Sequence, residues 1–185
     1  PEFKGMKVVE NYYDRNPKLV DAEHEMTIRE IMSHSAGFSY GVFGNSYVDS
    51  LYLAADVLSY HSTLKEMAMS LSKIPLLYQP GGGYYYSISV DVQSYLVEVL
   101  SGISFRDFLK ERLFAPLKMV DTDFWVSEEK MERFAEVYDR KKGEDLKLCT
   151  EVVGLDPNVF KAPLTFFSGG GGLVSTTMDY MRFCQ

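Results

Sequence analysis

The segment "ISVDVQSYLVEVLSG", residues 88–102, constrains the fold most, because its apolar side chains recur at the spacing of an α-helix. They stand at offsets of 0, 3, 4, 7 and 8, as Val92, Tyr95, Leu96, Val99 and Leu100. This spacing places all of them on one face of a helix. Gly102 follows, and many helices end at a glycine. We expect a helix that turns this face toward a core.

Two other stretches carry a capping box, in which a hydroxyl and a carboxylate three residues apart each accept a backbone N–H. Thr27 with Glu30 and Thr63 with Glu66 have this spacing. Each pair predicts the start of a helix. The predicted inward faces are Ile28, Ile31 and Met32 in the first helix, and Leu64, Met67, Ala68 and Leu71 in the second.

The remaining predicted elements have weaker signals. A helix is expected from Ser104, and another from Ser175 or Thr176, where Asp179 could complete a capping box with Thr176. The inward face of the first is predicted to be Phe105, Phe108, Leu109 and Leu113. A charged turn at residues 141–145 separates stretches that could pair as a short hairpin. The expected fold is mainly α with small β elements.

Composition argues against several kinds of function. The 185 residues contain no long linker, so one domain over residues 1–185 is expected. A net charge of −7 and a pI near 5.0 disfavour nucleic acid as a partner. No apolar run approaches the ~20 residues of a membrane-spanning helix. The cysteines and histidines lack metal-ligand spacing, so no metal or other cofactor is predicted, and both thiols are interpreted as buried or idle.

Three Ser-x-x-Lys spacings could in principle place a lysine amine beside a serine nucleophile on one helix face. They are Ser62 with Lys65, Ser70 with Lys73, and Ser127 with Lys130. Chance gives this pattern often. Two of the serines are better explained as helix starts, and the third lies near a helix end before a proline. We interpret all three as structural.

The glycine clusters match no phosphate-binding motif. Residues 81–83 are three consecutive glycines without a clear preceding strand. The segment "SGGGGLVST", residues 168–176, does lead into a helix N-terminus, where N–H groups attract anions. A flexible turn that lets backbone run close to another element is the favoured interpretation, with an anion site as the alternative.

Taken in order, four segments resemble the serine β-lactamase-related family, which includes class C β-lactamases, esterases of the same fold, transesterases and D-aminopeptidases. The segments are "MTIREIMSHSAGFSYG", "IPLLYQPGGGYYYSISVDVQSYLVEVLSG", "FLKERLFAPLKMVDTDF" and "GGGGLVSTTMDYMRF". Together they cover nearly the whole chain. The resemblance implies the helical subdomain and adjoining parts of a β-lactamase/transpeptidase-like α/β fold, incomplete at both ends.

The resemblance also implies where the chemistry lies. In the family the nucleophilic serine and its lysine precede the turn that matches His34 to Gly37, and a last motif follows much later. Both would fall outside these residues. The middle motif is matched by Tyr86 and Ser87, which makes Tyr86 the catalytic tyrosine. A free phenol has a pKa near ~10, so proton transfer by a tyrosine needs a neighbouring ammonium group.

Three residues are expected to bind substrate by their positions in the matched motifs: Phe38, Tyr40 and Ser87. The loop from Gly169 to Gly172 would form the rim of the acyl pocket. Packing is the alternative role for Phe38, Tyr40 and the loop. Tyr84 and Tyr85 are expected to pack or to line the rim.

Two departures from the family pattern matter. Ile88 stands where class C β-lactamases carry an asparagine that binds the substrate amide, and an aliphatic side chain cannot donate that bond. This favours the esterases. Lys118 replaces the usual glycine of a "PLGM" segment, and the sequence gives no functional account of it.

The resemblance implies part of a serine hydrolase that acts on small esters or amides through an acyl-enzyme and is inactive on its own. The alternatives are a non-catalytic binding module with the same fold and a class C-type β-lactamase. We also expect self-association, a homo-oligomer formed through an apolar face left uncovered. Such faces drive association.

Overall fold

The computed structural model describes residues 1–149 and 157–185. The chain forms two compact units, one of Pro1–Phe108 with Phe166–Gly172, and one of Leu109–Thr165 with Leu173–Gln185. Each is described by itself below. The single domain expected over residues 1–185 stays a prediction.

The first unit is mainly helical, as predicted. Its strands are β1 (Lys7–Val9) and β2 (Leu19–Asp21), and its helices are α1 (Ile28–Met32), α2 (Tyr47–Ala54), α3 (Leu64–Leu71), α4 (Ser89–Ser101) and α5 (Phe105–Leu109), the last of which ends at the unit boundary. The β1–β2 pair and α2 were not predicted. Helix α2 begins with a capping box of its own, from Ser46 and Asp49.

Strand β1 has backbone hydrogen bonds on both sides, to β2 and to the segment after α3. It pairs antiparallel with β2 in the register Val8 opposite Val20. On its other side Val9 N donates to Leu76 O (3.0 Å), and Leu76 N donates to Lys7 O (2.8 Å). The segment after α3 is thereby fixed beside the N-terminal hairpin.

Helix α3 confirms its sequence pattern in full. Thr63 and Glu66 form both halves of the predicted capping box. All four predicted inward residues are buried, namely Leu64, Met67, Ala68 and Leu71. They pack in one cluster with Val8, Leu76 and Val92. Burying such side chains is the main favourable contribution to folding.

The predicted stripes of α1 and α4 are only partly buried. Helix α1 has its predicted capping box, yet only Ile31 is buried while Ile28 and Met32 are exposed. It is a single five-residue turn, too short to bury a whole stripe. Helix α4 buries Val92 and Tyr95 near its start. Its last turn is exposed at Val99 and Leu100, so that part of the prediction is wrong. Gly102 ends the helix with φ 75°, as expected.

The second unit has short elements. They are a π-helical turn (Lys110–Phe114), a 3-10 helix (Glu128–Arg133), the hairpin strands β3 (Tyr138–Asp139) and β4 (Lys147–Leu148), a 3-10 helix (Pro157–Lys161), and α6 (Thr177–Cys184). The π-helical turn advances the register by one residue, so Phe114 is buried where Leu113 was expected. The antiparallel hairpin confirms the predicted pairing around residues 141–145.

Helix α6 begins where predicted but uses its acidic residue differently. Thr176 caps the helix by accepting from Asp179 N (3.2 Å). The Asp179 carboxylate does not reach back to complete the box. It accepts instead from Asp121 N (2.6 Å) and pairs with Arg182 (2.7 Å). Cys184, at the end of this helix, is exposed, so its thiol is not a buried one. In the described part of the chain, no helix has both the length and the apolar character needed to cross a bilayer.

The structure explains why the family pattern has a glycine at the position where this chain has Lys118. Lys118 has φ 57°, in the left-handed region that glycine favours. Its N–H donates to Ala115 O (3.1 Å), and Met119 N donates to Phe114 O (2.8 Å), which closes the turn after the π-helical segment. The side chain is exposed. The position demands a backbone conformation and no particular side chain.

Replacing Lys118 with glycine should therefore stabilise the chain by about 0.5–1 kcal/mol, because the relief of a left-handed lysine exceeds the entropy cost of glycine. The free energy of unfolding in urea measures the change. Lys65→Gly is the matched control, since Lys65 is an exposed lysine inside α3, where glycine should cost about 1 kcal/mol. The account of Lys118 fails if both variants lose stability alike.

Candidate active site

The site is built where the turn after α1 crosses the segment that leads into α4. Four backbone hydrogen bonds join them, each donated by the segment before α4 and accepted by the segment after α1: Leu77 N to Gly37 O (2.7 Å), Gly81 N to Ser35 O (2.8 Å), Tyr85 N to His34 O (3.0 Å) and Ile88 N to Ser39 O (3.0 Å). The turn at His34 to Gly37 and the Tyr-Ser motif are therefore side by side.

Gly37 allows this close approach. It has φ 90°, and a Cβ there would collide with the backbone oxygen of Tyr78 and lie 3.1 Å from the Leu76 side chain. Any other residue would need a strained backbone and would push the two segments apart. The crossing requires glycine at this position.

His34 holds the Tyr-Ser motif through both its backbone and its ring. Its carbonyl oxygen accepts from Tyr85 N (3.0 Å) and from the Tyr78 hydroxyl (3.1 Å). Its Nδ1 accepts from Ser87 N (3.1 Å). A backbone N–H can only donate, so Nδ1 carries no proton and the neutral ring is protonated at Nε2. His34 itself has φ 55°, a strained conformation for a residue with a side chain.

The Tyr86 side chain is partly exposed, and its ring packs against three other aromatic rings. Tyr86 is 46% exposed. Its ring stacks on His34 (4.9 Å between centroids) and on Tyr40 (5.6 Å, interplanar angle 7°), and Phe43 lies 5.9 Å away. Stacked rings of this kind restrict motion and add to burial. The phenol is accessible to solvent while its ring is fixed.

The three predicted substrate-binding residues have different environments. Tyr40 is half-buried beside Tyr86. Phe38 is 1% exposed and packs edge-on against Phe3 in the core, so the structure places it in the packing role. Ser87 is also buried, and its hydroxyl bonds to His34 Nδ1 (3.1 Å) and Ser89 Oγ (2.8 Å). Only Tyr40 has an accessible surface next to the phenol.

The glycine-rich loop lies on the first turns of α4. Ser168 Oγ donates to Asp91 Oδ1 (2.6 Å), and Gly170 N donates to the same oxygen (3.3 Å). A Cβ on Gly169 would collide with the Ser94 hydroxyl and lie 2.8 Å from Val90 O. The favoured interpretation of this segment, a turn that brings backbone close to another element, agrees with these contacts.

Burial dominates the ionisation of the polar groups around this loop. It raises the pKa of the Asp91 carboxyl, because the charged form would lose its hydration. Burial, reinforced by the nearby Asp91, also raises the pKa of Tyr40 to about 12. Tyr40 is therefore neutral at physiological pH and can act as a hydrogen-bond donor.

The three Ser-x-x-Lys pairs are structural, as interpreted from the sequence. Ser62 Oγ donates to Ser59 O (2.8 Å), before the helix that Thr63 caps. Ser70 stands one residue before the end of α3, and Lys73 follows beyond it. Lys130 Nζ bonds to Val120 O (2.7 Å) and to the Asp121 carboxylate (3.0 Å). Ser62 and Lys130 thus bond to nearby backbone or carboxylate groups.

The turn from His34 to Gly37 thus lies beside the Tyr86–Ser87 motif, just before α4. The sequence profile described as Beta-lactamase matches residues 7–185. The chain belongs to the beta-lactamase family.

Known relatives agree with this assignment. The chain is 28% identical to Protein Rv1367c of Mycobacterium tuberculosis over 100% of its own length and 44% of that protein. It is 28% identical to Esterase EstB of Burkholderia gladioli over 90% of its length and 45% of the esterase. The structure of unliganded simvastatin synthase (LovD) from Aspergillus terreus superposes with a TM-score of 0.74 at 23% identity, covering 98% of this chain and 44% of that one. The chain thus spans a little under half the length of these proteins.

Sequence reasoning missed two functional features of this region. It identified His34 only as part of a turn and did not foresee that its ring accepts from Ser87 N. It also did not foresee the bonds between Asp91 and the glycine-rich loop. Both depend on contacts between residues 53 and 77 positions apart, for which local patterns carry no signal.

Replacing His34 with alanine should destabilise the chain by about 1–3 kcal/mol, because Ser87 N loses its acceptor and a left-handed residue keeps its strain. His34→Asn is the matched variant, since asparagine tolerates positive φ and offers a carbonyl oxygen. It should retain most of the stability. Urea unfolding measures both. Equal losses in the two variants would contradict the role assigned to Nδ1.

Proposed function

We propose that the protein containing these 185 residues is a serine hydrolase that transfers acyl groups from small esters or amides, with Tyr86 sharing the proton transfers. The exposed phenol of Tyr86, fixed on His34 and Tyr40, is the observation that carries this proposal. A relative named as an esterase, EstB, supports the ester class.

The proposed reaction has two steps. A serine hydroxyl attacks the carbonyl carbon of the substrate, its proton passes toward the Tyr86–lysine pair, and the leaving alcohol or amine takes a proton as the acyl–oxygen or acyl–nitrogen bond breaks. Water or another alcohol then attacks the acyl-enzyme and regenerates the serine. The serine and the lysine are expected upstream of residue 1, and backbone N–H groups would hold the oxyanion.

The surroundings of Ile88 support an esterase over a β-lactamase. Ile88 is 0% exposed, and its side chain is part of the core. It cannot offer a hydrogen bond to a substrate amide, which an asparagine at this position would do.

In the protein that includes the flanking sequence, Tyr86→Phe should lower kcat for p-nitrophenyl acetate at least about 10²-fold, because general acid–base catalysis contributes about 10²–10⁴-fold. Tyr84→Phe is the control, since Tyr84 is 72% exposed and should leave kcat near its normal value. Circular dichroism should show both variants folded. Equal activity of the two variants would refute the role of Tyr86.

The 185-residue chain and the longer protein also distinguish the hydrolase from a binding module and from a β-lactamase. The 185-residue chain by itself should not hydrolyse the ester, and hydrolysis that Tyr86→Phe abolishes would contradict the expected upstream nucleophile. Covalent labelling of the longer protein by a fluorophosphonate would support the hydrolase, and absence of labelling would favour a binding module. Rapid turnover of nitrocefin would favour a β-lactamase.

A further inference from the structure

One contact of the glycine-rich loop is incomplete. Asp91 is 0% exposed, and its Oδ1 accepts from both Ser168 Oγ and Gly170 N. Within residues 1–149 and 157–185, its other oxygen, Oδ2, has no hydrogen-bond partner. A buried carboxyl oxygen without a partner costs free energy. A neutral amide or hydroxyl could tie the loop equally well, so the carboxyl calls for an explanation.

The unpartnered oxygen faces the backbone of Gly170 and the hydroxyl of Tyr40. A Cβ on Gly170 would lie 2.9 Å from Asp91 Oδ2 and 3.3 Å from the Tyr40 hydroxyl oxygen. The two oxygens thus fill the space that a side chain at residue 170 would take. The loop backbone, the carboxyl group and the phenol of Tyr40 form one tightly packed cluster.

This cluster reaches the proposed catalytic phenol through Tyr40. The Tyr40 ring lies parallel to the Tyr86 ring, with an interplanar angle of 7°. The Tyr40 hydroxyl oxygen lies next to Gly170, and the Gly170 N–H donates to Asp91 Oδ1. A change at Asp91 would therefore alter the support on which the Tyr86 ring rests.

We propose that Asp91 is a positioning residue for Tyr86: it fixes the Gly169–Gly171 backbone on α4, sets the place of the Tyr40 ring, and through that ring orients the Tyr86 phenol. Asp91 does this through Oδ1, which accepts from Ser168 Oγ and Gly170 N, while Oδ2 has no hydrogen-bond partner among the described residues. The catalytic consequence rests on the proposed function, whereas the packing consequence does not.

The first test is steric and leaves every charge in place. Gly170→Ala inserts a methyl group between Asp91 Oδ2 and the Tyr40 hydroxyl, and should shift the ring resonances of both Tyr40 and Tyr86 in ¹³C–¹H spectra of the 185-residue chain. Gly171→Ala is the matched control, because a Cβ there meets nothing within 4 Å. Tyr40→Phe and Tyr86→Phe assign the two resonances. Unchanged resonances in a folded Gly170→Ala variant would overturn the proposal.

The second test concerns the carboxyl group. Asp91→Asn keeps an acceptor for Ser168 and Gly170, so both tyrosine resonances should stay near their normal positions, while Asp91→Ala should displace them. Glu98→Gln, a half-buried carboxyl on the same helix that bonds to Phe105 N (2.9 Å), is the control and should displace neither. If Asp91→Ala does not fold, the comparison of Asp91→Asn with Gly170→Ala decides. Displacement by Asp91→Asn as large as that by Gly170→Ala would overturn the proposal.

The pH dependence of stability adds a readout that packing alone would not change. Tyr40 and Tyr60 face Asp91, and the pKa of each is raised, so neither ionises at neutral pH. A raised pKa of Asp91 stabilises the fold fully below the unfolded value of ~4, and this contribution is lost as the pH rises through the folded value. Asp91→Asn lacks that loss. The unfolding free energy of Asp91→Asn should therefore rise relative to that of the unsubstituted chain as the pH rises, and a constant difference would contradict a buried carboxyl with an unpartnered oxygen at position 91.

The catalytic consequence is tested in the longer protein. Gly170→Ala should lower kcat for p-nitrophenyl acetate at least tenfold, and Glu98→Gln should leave it near normal. Displaced resonances without a fall in kcat would mean that Asp91 positions Tyr86 but that the proposed function of Tyr86 is wrong. Resonances at their normal positions would refute the positioning role, whatever the activity.

Discussion

The site depends on one crossing of two segments, at Gly37. Because this glycine has no side chain, the turn that begins at His34 can lie against the chain between Leu77 and Ile88 with backbone hydrogen bonds on both sides. His34 then supplies a carbonyl oxygen and a ring nitrogen to the Tyr-Ser segment. The position of Tyr86 follows from this crossing, since the residues on both sides of it are held by His34.

Around Tyr86, aromatic rings pack against the phenol ring, and the neighbouring hydroxyl of Ser87 is buried. The Ser87 hydroxyl forms hydrogen bonds with His34 Nδ1 and Ser89 Oγ. The aromatic rings of His34 and Tyr40 stack on the Tyr86 ring and leave the residue 46% exposed.

The agreement between prediction and structure varies with the range of the interactions involved. Capping boxes at Thr27 and Thr63, the end of α4 at Gly102 and the buried face of α3 were all predictable, because each depends on residues within two helical turns. The exposed Val99 and Leu100 were mispredicted for the opposite reason. Their period is helical, but whether a helical face is covered depends on what the rest of the chain places against it.

The sequence by itself determined the helical character, the starts of several helices and the resemblance to the family, since these reside in local spacing and in ordered motifs. The catalytic role of Tyr86 stays a prediction. The tertiary structure alone decided that Phe38 packs in the core, that His34 accepts from Ser87, and that Asp91 holds the glycine-rich loop. The physical reason is that burial and hydrogen bonding between distant segments depend on the mutual position of those segments. No pattern within a single segment encodes that position.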